Sequence, residues 1–126
     1  MAFRKFEDIE VWQDGRRVTN AVYEQASMGR FAKDWGLREQ IQRAAVSICS
    51  NIAEGYARRG NKEMVKFLWI AKGSASEVQS QLYHALDFGY IAKETFDSIY
   101  ADLNKIQAKI FRLIQSLSKM PERQKI

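Results

Sequence analysis

From Ile99 to the end of the chain's last periodic stretch, apolar side chains fall at Ile99, Leu103, Ile106, Ile110, Leu113, Leu117 and Met120, a 4-3-4-3-4-3 spacing without a slip. A helix with one face buried along its length produces that pattern, and such a helix needs other helices to cover it. The rest of the chain supplies them. Met64, Leu68, Ala71, Ala75, Val78, Leu82 and Ala85 repeat the spacing, and Leu37, Ile41, Ala44, Ile48 and Ile52 before them recur at steps of three and four. Ile9, Trp12, Thr19, Val22 and Ala26 begin it. No segment shows the period-two alternation of a strand.

Glycine and proline divide these stripes. Gly29 and Gly36 flank one connection, Gly60 marks a second and Gly89 a third, while Pro121 follows the last periodic residue, where helices commonly stop. The punctuation predicts helices over Asp8–Ser27, Leu37–Arg59, Lys62–Phe88 and Lys93–Lys119. Short connections between long helices make neighbours antiparallel, so the expected fold is all-α, an antiparallel up-down-up-down four-helix bundle. A chain of 126 residues fits a single domain over residues 1–126 and buries a core without staples. With 46% hydrophobic residues and 12% aromatics, disorder is not expected.

Several function classes drop out on composition. No apolar run approaches the roughly 18 residues that span a bilayer, so no membrane association is expected. The start, MAFRKFEDIE, has no apolar stretch behind its basic pair, and Cys49 is the lone cysteine. Both features fit the cytoplasm, and neither disulfide nor metal is expected. A di-iron bundle needs two E-x-x-H motifs, but His84 is the only histidine and no E-x-x-H is present. Turn geometry sets His84 level with Gly36, far from Cys49, so no base activates the thiol, and His84 is expected exposed or beside Asp97. Neither phosphate-binding glycine loop occurs. The expectation is a non-enzyme with no catalytic residue, cofactor or metal.

Gly15, Gly55 and Gly73 sit inside helical patterns, where each costs about 1 kcal/mol relative to alanine. Close helix–helix approach is favoured over a ligand-sized gap. On the second segment Arg43, Ser47, Ser50, Asn51 and Glu54 share one polar face. A turn centred near Gly60 places Arg43 level with Glu77 and Glu54 level with Lys66. This predicts a shielded structural pair, Arg43–Glu77, that fixes register.

The net charge of +5 is mild, but the topology concentrates it. The start of the first helix, the turn at Gly60 and the end of the last helix share one pole. Arg4, Lys5, Arg58, Arg59, Lys62, Lys66, Lys119, Arg123 and Lys125 gather there, diluted by Glu7, Asp8, Glu10, Glu54, Glu63 and Glu122. Cations at helix C-termini also suit the macrodipole, so a solvated helix end competes with a nucleic-acid surface. Assembly into a ring would multiply the field. Trp12, Trp35, Trp69, Tyr56, Phe67 and Tyr83 exceed what one small core needs, which predicts a homo-oligomer.

The strings FEDIEVWQ (Phe6 to Gln13), RAAVSICSNIAEGYAR (Arg43 to Arg58) and FLWIAKGSASEVQSQL (Phe67 to Leu82) resemble a bacterial family of four-helix bundles, the 23S rRNA intervening-sequence proteins. Cys49 stands where members commonly carry proline within the second helix, which removes a kink. The resemblance implies a barrel-like homopentamer, and many members are encoded within intervening sequences of 23S rRNA genes. A more distant similarity links them to accessory proteins of diversity-generating retroelements, which bind nucleic acid and a reverse transcriptase. Two function classes follow. One is a homo-oligomer that binds RNA or DNA through Arg58, Arg59, Lys62, Lys66, Arg4 and Lys5. The other is a structural or protein-interaction module that touches no nucleic acid.

Overall fold

A computed structural model describes residues 3–121. A 3-10 turn at Phe6–Asp8 leads into α1 (Glu10–Ala26), α2 (Gly29–Lys33), α3 (Trp35–Ala57), α4 (Asn61–Asp87) and α5 (Lys93–Ser118). Among the described residues there is no strand. The four long helices lie where glycine punctuation places them, and α2 is the addition. Five residues are too few to show a period, yet α2 seats Phe31 in the core.

Each long helix packs on the next, and α1 closes the bundle against α5. Cross-helix contacts run antiparallel: Thr19 on α1 bonds the Ala45 carbonyl of α3 at 3.1 Å, whereas Cys49 donates to the Trp12 carbonyl at 3.3 Å. Ile41, Ile48, Ile52, Leu68, Val78, Leu103, Ile106 and Ile110 are fully buried at the centre. All seven expected positions of α4 are in the core. On α5 the seam departs from the strict repeat. Leu113 is half-buried and Met120 exposed, while Ile114 is buried. A straight helix turns 3.6 residues per cycle, so a strict heptad stripe drifts about 20° per repeat. The four-residue step from Ile110 to Ile114 restores the face. On α1 the buried line is Val11, Gly15, Val18, Val22 and Ala26, with Trp12 and Thr19 at its margins.

Two of the three interior glycines mark close approach. A Cβ on Gly15 would stand 2.9 Å from Cys49 Sγ, and one on Gly55 the same distance from Phe67 Cβ. Gly73 is different: a Cβ there meets nothing within 4 Å, so close approach inside the monomer does not account for it.

Polar side chains stitch the seams that small residues leave. Ser47 and Ser74 hydroxyls lie 2.8 Å apart between α3 and α4, and Asn51 donates to Ser47 Oγ at 2.9 Å. Between α4 and α5, Gln79 donates to Asn104 and accepts from Gln107 at 2.8 and 2.7 Å. Lys109 crosses from α5 to α1, 2.7 Å from Asp14, and also pairs with Glu10.

Candidate nucleic-acid interface at the basic pole

Two tethers build the pole. The Tyr56 hydroxyl donates to the Phe3 carbonyl at 2.8 Å, pinning the chain start to the end of α3. The Asn61 amide reaches the Pro121 carbonyl at 3.4 Å, pinning the end of α5 to the α3–α4 turn. Arg4, Lys5, Arg58, Arg59, Lys62, Lys66 and Lys119 are all exposed there. Arg123, Lys125 and Glu122 lie outside the described residues.

The cations are not equivalent. Arg58 donates from Nε to Glu54 at 2.9 Å, and its guanidinium lies 5.2 Å from the Phe67 ring centre. Lys66 approaches the same ring at 5.8 Å, so one aromatic side chain carries two cations. Glu10 is drawn away from the pole by Lys109, and Asp8 accepts the Arg4 backbone N–H at 3.2 Å.

Arg59 stands apart. Its φ is +62°, the only positive φ of a non-glycine among the described residues. The glycine punctuation predicts the turn at Gly60, but Gly60 is extended at φ −153° and serves as N-cap of α4. The left-handed position falls one residue earlier because α3 ends at Ala57 and Arg58 caps it. A side chain in that conformation costs about 1 kcal/mol, and glycine usually takes it. Nothing in the order Arg58-Arg59-Gly60 marks which residue makes the turn.

The Arg43–Glu77 pair does not form. Arg43 instead pairs with Glu39, one turn back on α3, at 2.8 Å, and its side chain is 79% exposed. Glu77 is also exposed, across a groove of about 490 Å³ that both residues line. The Glu54–Lys66 pairing fails in the same way, since Glu54 takes Arg58. Register explains both. Ser47 meets Ser74, which sets Arg43 level with the buried Val78, one residue and about 100° of helix away from Glu77. Seam positions go to serine, alanine and glycine, and the long charged chains fall back on their own helix.

The remaining reactive groups are quiet. Burial pushes the half-buried Cys49 thiol up to about 11, against a weaker opposing pull from Arg16. A protonated thiol donating to a carbonyl is a poor nucleophile. His84 is exposed and stacks on Phe88, while Asp97 pairs with Lys93 at 2.6 Å. Among the described residues no cluster of three or more His, Cys, Asp or Glu could hold a metal, and no helix is long and apolar enough to cross a membrane.

The fold is therefore a helical bundle with exposed cations gathered at one tethered end. The chain belongs to the 23S rRNA-intervening sequence protein family, whose pattern matches residues 7–112. It is similar in structure to a protein of unknown function from the S23 ribosomal protein family of Bacteroides thetaiotaomicron, at a TM-score of 0.75 and 23% identity. That match covers 83% of this chain and 98% of the other, and at such identity it speaks to the fold. No curated protein matches the chain.

Proposed function

We propose that this protein is a non-enzymatic, cytoplasmic homo-oligomer that binds RNA or DNA through its basic pole. Arg59 carries the reading. A turn that glycine would make without strain is built with arginine, and backbone strain of this kind concentrates at functional sites. Around it Arg4, Lys5, Lys62 and Lys66 add exposed positive charge, and Arg58 pairs with Glu54. No base-reading element is evident at the pole, so binding rests on the backbone charge and sequence preference is weak.

Self-association rests on a second surface. Trp69 and Ile70, 48% and 45% exposed, lie on the outer face of α4, and Phe111 of α5 sets its ring edge-on to Trp69 at 6.0 Å. Gly73 continues that face with open space above it, which suits the close approach of a second copy. Exposed Lys66 and Glu77 bracket the patch, and neither forms an ion pair among the described residues. Five subunits is the count that family resemblance favours. The same patch supports the rival reading, a protein-interaction module that never meets nucleic acid.

Filter binding of the purified chain to unrelated RNA and DNA strands at low and rising salt tests the proposal. Retention that falls steeply with salt and is indifferent to sequence supports it; no retention at low salt rejects it and leaves the interaction module.

A further inference from the structure

The end of the bundle opposite the basic pole carries the most exposed large apolar side chain among the described residues, Trp35, at 72%. Tryptophan is ordinarily among the better covered residues, and this one is held out in water on a rigid base. It is the first residue of α3, directly after Asp34, whose carboxylate caps the helix by accepting the Leu37 N–H at 3.1 Å. The other Asp34 oxygen accepts the Tyr90 hydroxyl at 2.8 Å. The indole rests 5.2 Å from the Arg38 guanidinium, itself anchored to the Ala32 carbonyl at 3.1 Å. Backbone and supporting cation are thus both fixed.

A second exposed ring shares this frame. Phe88, 51% exposed, meets Tyr90 edge-on at 5.7 Å, and Arg30 bonds the Phe88 carbonyl at 3.0 Å while lying 5.4 Å from the Tyr90 ring. Trp35 and Phe88 are therefore joined through Tyr90 and Asp34, and each has an arginine beside it. Lys33 adds a third cation, and the Asp34 carboxylate is already engaged twice.

From this juxtaposition we infer that the Trp35–Arg38 end is a stacking platform for unpaired bases of a single-stranded nucleic acid. Any base presents a flat face to an indole, and an arginine beside it serves both ring and phosphate. Duplex bases are not available for such stacking, so the platform selects single strands. Tryptophan–arginine pairs also anchor protein interfaces, but those anchors sit inside a patch that excludes water. Here the indole is largely in water, Glu39 is paired with Arg43 and Asp34 is engaged twice, so Arg30, Lys33 and Arg38 set the charge beside the rings, which matches a phosphate chain better.

The platform does not depend on the basic pole, and the test separates them. Full-length protein, Trp35→Ala and Trp35→Phe are titrated by anisotropy with a labelled oligouridylate, an abasic strand of equal charge and an RNA duplex. Trp35→Ala is expected to weaken oligouridylate binding about tenfold, with Trp35→Phe retaining most of it. Abasic strand and duplex should not distinguish the three proteins. Wild-type affinity in a folded Trp35→Ala variant overturns the platform, and the basic pole survives if Arg58, Arg59 and Lys62 variants still lose binding. Equal losses on abasic and oligouridylate strands overturn it too, since they report charge and not stacking. So does a fall in oligomer mass by light scattering with RNA binding unchanged, which assigns Trp35 to a protein contact. Absence of any binding by the wild type removes both.

Discussion

Gly55 and Phe67 stand so close across the α3–α4 seam that a methyl group on Gly55 would come within 2.9 Å of Phe67 Cβ. Met64 adds a contact at 3.1 Å through Sδ and one at 3.4 Å through its backbone Cα. The sulfur yields by rotation, but the Cβ and Cα move only with the helix. Gly55→Ala should therefore destabilise the protein by about 1–2 kcal/mol, overpacking outweighing the gain in helix propensity. Gly73→Ala, with open space at the same chemistry, should raise monomer stability by about 0.5–1 kcal/mol. Urea denaturation of the two variants decides it, and equal shifts of the same sign would contradict the packing described here.

The Cys49 thiol offers a test of burial. Its pKa is raised from the ordinary 9.0 to about 11, chiefly by desolvation. A raised folded-state value contributes stability that is complete below pH 9 and is lost as pH climbs through about 11. Alkylation of the native protein should be slow at pH 8 and accelerate only near pH 11, with unfolded protein reacting much faster. A native reaction with its midpoint near 9 would show the thiol to be solvated.

Much of this was legible in the sequence, and the limits have physical causes. Seven apolar positions of α4 and the stripes of α3 announced the bundle because burial of one helix face leaves a periodic trace. The α5 seam slipped at Ile114, since a straight helix cannot keep a 3.5-residue repeat. The α3–α4 charge pairs are not legible, because the turn centre fixes level only to within a residue and an offset of one residue rotates a side chain by about 100°. The membership of the basic pole, as far as Lys119, was visible from topology. Its most telling feature, the left-handed Arg59, was not, since conformation at a turn depends on where α3 stops. Trp35 is surplus to the core by sequence, but only the Asp34 cap and the support of Arg38 reveal how it is presented.

Self-association predicts its own failure. Ile70→Glu together with Trp69→Lys should lower the mass seen by light scattering at micromolar concentration. The helix should hold, because both side chains are about half exposed and leave the core intact. A monomeric wild type would reject assembly, and an unchanged mass in the double variant would move the interface elsewhere.

Arg59→Gly separates strain from charge. Glycine relieves the left-handed position, so the variant should be more stable by about 1 kcal/mol. If that arginine is kept for phosphate, the more stable protein should also be the weaker binder. Tighter or equal retention would assign Arg59 to the turn alone.

The most direct test of the basic pole is the salt dependence of binding by Arg58→Gln, Arg59→Gln and Lys62→Gln combined, measured against wild type on two unrelated strands. Each lost phosphate contact lowers the slope of log affinity against log salt by roughly one unit, so the triple variant should bind both strands more weakly and show a slope flatter by up to about three. A folded triple variant with wild-type affinity and slope would contradict the account.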